Sequence, residues 1–253
     1  MDKINILGSK INVTNIKDLG DKVEKLILSK KTHYICVSNV HTIITGVKDE
    51  RFKKITNNAS LAVPDGMPLV WIGKHRGYKD MEKCSGPDIM THLFKLSEEK
   101  GYTNYFYGGT EDNIKILGNE LHAKYPKLKI LGMYSPPFRE LTKEEDDNII
   151  KKINELKPNI LWIGLGAPKQ EVWMYQHFEK LSGSVIFGVG AAFNFHSGTL
   201  KRAPIWMQKT GLEWLYRLFK EPKRLWKRYL ITNSLFIFYL FFLRKKIENE
   251  NMK

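Results

Sequence analysis

The sequence holds only two cysteines, Cys36 and Cys84, among 253 residues. Neither belongs to a Cys-x-x-Cys pair or a Cys/His cluster. That excludes a disulfide framework and a structural zinc site, and it fits a reducing compartment. Acidic residues are also short: 27 Asp and Glu stand against 41 Lys and Arg, a net charge of +14. No apolar run reaches the roughly 20 residues that a membrane-spanning helix needs. The start, Met1-Asp2-Lys3-Ile4-Asn5, lacks the basic stretch and apolar run of a signal peptide, so the chain is expected to stay on the cytoplasmic side. No Walker loop, Gly-x-Ser-x-Gly elbow or Gly-x-Gly-x-x-Gly turn occurs, which argues against a P-loop ATPase, an α/β-hydrolase and a dinucleotide oxidoreductase. There is no Asp-x-Asp at a strand end to hold a divalent metal on a diphosphate, and the seven histidines form no ligand cluster. His41 and His196 stand near candidate loops, but a lone histidine is more often structural.

What is present is an alternation. Short apolar runs at 4–7, 33–37, 61–63, 104–107, 129–133, 160–164 and 185–189 predict strands. Helical patterns lie between them at 16–28, 67–73, 86–99, 112–124, 142–156 and 168–180. Strand-then-helix repetition at this spacing predicts a parallel sheet with helices on its faces, an α/β fold. In the later half the strands end in glycine: Gly108-Gly109, Gly164-Leu165-Gly166 and Gly188-Val189-Gly190. Glycine at a strand's carboxyl end lets a ligand approach the backbone, and the helix start that follows favours anions.

The composition changes after Pro204. From residue 201 onward, 13 Lys and Arg face 4 Asp and Glu, an excess of nine positive charges in the last fifth of the chain. Such a field attracts phosphate, whether on a nucleic acid, a lipid headgroup or a lipid diphosphate. Residues 205–246 read as helical, with a break near Pro222. The continuous apolar run 235–243 is flanked by Arg224, Lys227 and Arg228 before and Arg244, Lys245 and Lys246 after. Between basic flanks, this short run reads as an interfacial membrane anchor; a core or contact helix is the plainer alternative. Trp206, Trp214, Trp226 and Tyr229 are interleaved with the basic residues, as at a membrane–water boundary. The pI of about 9.5 also suits a nucleic-acid binder, but nucleic acid offers no surface for the apolar run.

Several side chains are candidates for chemistry. Asp65 in Pro64-Asp65-Gly66 directly follows a predicted strand. That is the sheet edge where α/β folds bind ligands, and a carboxylate there can accept a proton from an attacking hydroxyl. Pro-Asp-Gly is equally a common turn sequence. In Gly164-Leu165-Gly166-Ala167-Pro168-Lys169-Gln170-Glu171, loop amides are placed to hold a diphosphate and Gln170 to bond a base or sugar; a plain strand–helix turn has the same pattern. Gly188-Val189-Gly190 leads to Asn194, a candidate reader of a uracil or ribose, between Phe193 and Phe195, which look like core residues. Arg217, Arg224 and Arg228 recur at helical spacing, and arginine pairs well with phosphate oxygens.

Taken in order, the Asn39 region, Pro64-Asp65-Gly66, Phe106-Tyr107-Gly108-Gly109, the loop 164–171, Gly188 to Phe195, Lys201-Arg202-Ala203-Pro204 and the stretch 212–224 resemble the WecG/TagA/CpsF family of glycosyltransferases over nearly the whole chain. The resemblance implies a Rossmann-like α/β core with helices on both faces, residues 1–200, and a basic helical membrane-docking appendage, residues 201–253. It implies inverting transfer without metal or cofactor from a UDP-sugar, typically UDP-N-acetylmannosamine or its uronic acid. The acceptor is typically N-acetylglucosamine on undecaprenyl diphosphate, at the inner face of the plasma membrane. The products serve teichoic acid, common-antigen or capsule synthesis. By the same resemblance Asp65 is the catalytic base. Asn39, Gly108, Gly109, Gly164, Gly166, Gln170, Gly190 and Asn194 line the donor side. Lys83, Arg217, Arg224, Lys227 and Arg228 meet the acceptor diphosphate. Three positions depart: Val37 stands where threonine is frequent, Lys83 where arginine is usual, and Asn194 where aspartate is frequent. A different hexose donor, such as UDP-glucose, therefore stays open, and nucleic acid is not expected as a partner.

Overall fold

The computed structural model describes residues 1–250, with side chains described to Phe242. Leu243, at the end of the apolar run, and the basic residues Arg244, Lys245 and Lys246 that follow it therefore lie outside the described side chains.

The chain opens with β1 (Lys3–Ile6) and β2 (Ser9–Asn12), paired antiparallel. Leu7 and Gly8 join them, both at positive φ (51° and 89°), the backbone that a two-residue hairpin loop demands. The side chain of Asn5 accepts from the Gly8 N–H at 2.8 Å. The expected strand at 4–7 therefore exists but belongs to a separate hairpin, not to the parallel sheet.

The main sheet has six strands: β3 (His33–Ser38), β4 (Leu61–Pro64), β5 (Thr103–Gly108), β6 (Lys129–Tyr134), β7 (Ile160–Gly164) and β8 (Val185–Gly188). Their order is β4-β3-β8-β7-β5-β6, and every neighbouring pair is parallel. Alternate side chains leave each strand on opposite faces. Ile35, Phe106, Trp162 and Phe187 enter one core with helices α1 (Ile16–Leu28), α5 (Gly86–Lys100), α6 (Glu111–Lys124) and α9 (Ala192–His196). Tyr34, Tyr107, Leu161 and Ile186 enter the other. That second core is covered by α2 (Val40–Lys48), α3 (Glu50–Asn58), α4 (Met67–His75), α7 (Lys143–Leu156) and α8 (Lys169–His177). Both faces are covered, as a parallel sheet requires.

Helices α2 and α3 replace what the sequence left unassigned between residues 40 and 58. Caps start them. Asn39 accepts from the N–H groups of His41 and Thr42, and Thr42 returns a bond to the Asn39 N–H at 2.9 Å. Asp49 caps α3 the same way through Arg51 and Phe52. Caps of this kind contribute about 1 kcal/mol each.

After residue 200 come α10 (Ile205–Lys209), α11 (Glu213–Lys220) and α12 (Pro222–Glu250). Glu221 ends α11 and Pro222 starts α12, the break expected at that proline. Helix α12 packs along α2. Its apolar run is two-faced: Phe236 is 4% exposed and joins the second core, with Leu235, Tyr239 and Leu240 beside it. Ile237, Phe238, Phe241 and Phe242 face outward. Among the described residues, no helix is long and apolar enough to cross a membrane.

Candidate active site

Three glycine turns meet where β5, β7 and β8 end. Gly108 sits at φ 122°, and a Cβ there would come within 2.6 Å of the Gly164 backbone. The Gly109 N–H donates to the Gly164 carbonyl at 3.2 Å. A Cβ on Gly164 would strike the Phe193 ring at 2.5 Å. Gly166 is at φ 79° with open space around it, and Gly190 at φ 53° lies against Gln170. These positions take glycine for both reasons available to it, backbone freedom and close approach. The sheet's connections reverse between β5 and β7, since β5 leads outward to β6 and β7 returns on its other side. Open α/β sheets bind their ligands at such a switch point.

The carboxylate lies on the same edge, three strand positions from β7. Asp65 directly follows β4, and its N–H donates to the Ser38 carbonyl at 2.7 Å, one step past the β3–β4 ladder. Asn39 follows β3 and donates from Nδ2 to Asp65 Oδ2 at 3.2 Å. One asparagine thus caps α2 with its oxygen and steadies the carboxylate with its nitrogen. Burial pushes the Asp65 carboxyl up to about 7, and the Glu213 carboxylate adds to the rise; the Asn39 bond, Lys83 and Arg217 pull the other way. The side chain stays half-buried, within reach of solvent. A carboxyl group balanced near neutrality and within reach of solvent is suited to taking a proton.

The cations of the last helices face this carboxylate. Lys83 Nζ bonds Glu213 Oε2 at 2.8 Å, which ties the loop after α4 to α11. Arg202 holds Asp88 with two bonds of 2.5 and 3.2 Å and donates to Gln208 at 2.7 Å. Arg217 sits 3.6 Å from Glu221 and stacks over Phe195 at 5.6 Å. Arg224 bonds Glu221 at 2.6 Å. Arg228 is held below its ordinary pKa chiefly by burial, and the Asp65 charge opposes that shift. Among the described residues, the buried Nε atoms of Arg202, Arg217 and Arg228 have no hydrogen-bond partner. Arg217 and Arg228 thus bring positive charge close to Asp65.

The sequence-named residues therefore fall into two groups on one edge. Asp65, Asn39, Lys83, Arg217 and Arg228 come together at the β4–β3 end. Gly108, Gly109, Gly164, Gly166, Gln170 and Gly190 come together at β5, β7 and β8. Lys227 and Arg224 are exposed on the first turns of α12, and Asn194 is exposed on α9. Gln170, expected on the donor side, turns its amide toward the loop. It is 4% exposed, its Oε1 accepts from the Gly166 N–H at 3.1 Å, and its Nε2 donates to Glu171 at 3.0 Å. One amide hydrogen and one oxygen lone pair are engaged within the protein. Sequence reasoning missed Glu213, whose only signal was an acid among bases, and Glu171, which stood unremarked at the end of the quoted loop. His41, read as structural, is kept well below its usual pKa, at about 4, by burial and by Arg228. An open depression lined by Lys30, Lys31, Thr32 and Asn159 lies at the strands' amino ends, the edge opposite Asp65.

A parallel α/β sheet carries glycine turns at its switch point, and a carboxylate ringed by basic side chains lies further along the same edge. The chain matches the model of the glycosyl transferase WecG/TagA/CpsF family over residues 4–251 and belongs to that family. It is 28% identical over 218 residues to the N-acetylglucosaminyldiphosphoundecaprenol N-acetyl-beta-D-mannosaminyltransferase of Bacillus subtilis (strain 168), covering 86% of this chain and 83% of that protein. The protein of the same name from Staphylococcus aureus (strain MW2) is 24% identical over 225 residues, 88% of this chain and 87% of its own length.

Proposed function

We propose that this glycosyltransferase moves an N-acetylmannosaminyl group, or its uronic acid, from a UDP donor to N-acetylglucosamine on undecaprenyl diphosphate. The observation that carries the reading is the half-buried Asp65, steadied by Asn39 and faced by Lys83, Arg217 and Arg228 on the edge that also bears the glycine turns. The names of the Bacillus and Staphylococcus relatives supply the sugar and the lipid acceptor.

In this mechanism Asp65 takes the proton of the acceptor hydroxyl. The hydroxyl oxygen bonds to the anomeric carbon as that carbon's bond to the UDP oxygen breaks. Attack from the face opposite the leaving group inverts the centre. UDP leaves with added negative charge, which the loop amides and the arginines stabilise without a metal ion. Residues 1–200 serve as the catalytic core and 201–253 as the docking appendage. Outward Trp206, Phe219, Trp226, Ile237 and Phe238, beside exposed Lys220, Lys223 and Lys227, support docking on an anionic membrane surface at its cytoplasmic side. The product would feed a cell-surface polysaccharide such as teichoic acid or capsule.

Incubation with a panel of UDP-sugars and a polyprenyl-diphosphate-linked N-acetylglucosamine analogue tests the reading by product mass. The panel includes UDP-glucose because Asn194 and Val37 depart from the family pattern. Transfer of N-acetylmannosamine is expected; transfer of glucose alone would replace the donor, and no transfer at all would reject the reading.

A further inference from the structure

Gln170 and Glu171 open α8 directly beneath the glycine turns. The Gln170 main chain donates to the Gly166 carbonyl at 3.0 Å, while its side-chain Oε1 accepts from the Gly166 N–H at 3.1 Å. One residue thus holds both polar groups of Gly166, the residue at positive φ in the middle of the turn. The same side chain underlies the next turn. A Cβ on Gly188 would meet Gln170 Nε2 at 3.0 Å, and one on Gly190 would meet Oε1 at 3.3 Å. Both glycines leave space that this amide fills.

An amide presents an oxygen on one side and a nitrogen on the other, and only one orientation puts the oxygen on the Gly166 N–H. Glu171 selects it. Its Oε1 accepts from Gln170 Nε2 at 3.0 Å, and the residue is 1% exposed. Its other oxygen, Oε2, is buried without a hydrogen-bond partner among the described residues. Stability does not explain a carboxylate there. An unmet buried oxygen costs energy, and an apolar side chain of equal size would fill the space without that cost. The carboxylate does, however, fix the neighbouring amide.

We propose that Glu171 is a positioning residue for donor binding: its carboxylate orients the Gln170 amide, which locks the Gly164–Gly166 turn against the Gly188–Gly190 turn. The proposal rests on the reading that these turns hold the donor diphosphate. It also moves Gln170 from a nucleotide contact to a strut beneath the nucleotide.

The test uses the full chain with Glu171→Met, which removes the acceptor at similar volume, and Glu171→Gln, which keeps an acceptor oxygen. Glu171→Asp withdraws the carboxylate by one methylene and serves as the variant that folds if Glu171→Met does not. Two readouts are taken: hydrogen exchange of the Gly166 amide, and UDP affinity by calorimetry with donor KM and kcat. Glu171→Met and Glu171→Asp should lose Gly166 protection, weaken UDP binding roughly tenfold and raise donor KM, with kcat changed far less. Glu171→Gln should restore most of both. Wild-type Gly166 exchange and UDP affinity in folded Glu171→Met or Glu171→Asp would overturn the proposal. So would a Glu171→Gln protein as impaired as Glu171→Met. If the wild-type protein binds no UDP, the donor reading fails by itself, and the Gly166 exchange still decides whether the strut exists.

Discussion

Asp65→Asn changes one oxygen into an amide in a setting that tolerates it, since Asn39 Nδ2 still finds an acceptor at the remaining carbonyl oxygen. Folding and UDP binding should therefore survive while proton acceptance is lost. A positioned general base contributes about 10²–10⁴-fold, or about 3–5 kcal/mol of barrier. The wild-type pH profile carries a second, independent mark. Burial raises the Asp65 carboxyl to about 7, so the group is protonated and inactive below that pH and active above it. The sign follows: kcat/KM should rise with pH through about 7 and fall roughly tenfold per unit well below it. Glu171 titrates in the same range, so Glu171→Gln is the control, and the acid limb should persist in it. The assay is initial-rate transfer to the lipid-linked analogue between pH 5 and 8 at roughly constant ionic strength. A flat wild-type profile, or Asp65→Asn within about threefold of wild type, would refute the assignment of the base.

Glu213→Gln removes a charge that raises Asp65 and releases Lys83, so the acid limb of the profile should move to lower pH; an upward move contradicts the electrostatic account. Gly108→Ala forces a Cβ to within 2.6 Å of the Gly164 backbone at φ 122° and should weaken UDP binding by tenfold or more, read by calorimetry. Phe193→Ala empties a fully buried ring site against Phe106 and Gly164 and should cost about 3–5 kcal/mol in denaturant unfolding. Replacing outward Ile237, Phe238 and Phe241 by serine leaves Phe236 in the core and should abolish binding to anionic vesicles with little change in the unfolding midpoint.

The alternation of strands and helices was legible because strands buried on both faces read as short continuous apolar runs, and glycines mark their ends. The N-terminal hairpin was not, because its loop puts Leu7, a residue with no turn preference, at φ 51°. Helix α2 was hidden by β-branched Val40, Thr42, Ile43, Ile44 and Thr45, which favour strands; the caps Asn39 of α2 and Asp49 of α3 were the available signal. Asp65 and Asn39 were legible as strand-end residues, and the structure brings them into contact through β3–β4 pairing. The pairing of Lys83 with Glu213 spans 130 positions, and no local pattern encodes it. The inward turn of Gln170 was equally hidden, since it depends on which end of an amide its neighbour engages. The apolar run of α12 reads as an anchor or as a core helix, and helical periodicity divides it between the second core and solvent.

In the proposed reaction Asp65 deprotonates an acceptor hydroxyl for displacement at a sugar held by the glycine turns. The most direct measurement is the anomeric configuration of the transferred sugar, read by NMR on product from UDP-N-acetylmannosamine and the lipid-linked N-acetylglucosamine analogue. An inverted centre is predicted, with product formed about 10²–10⁴-fold more slowly by Asp65→Asn. A retained centre, or inverted product formed at an undiminished rate by Asp65→Asn, would contradict it.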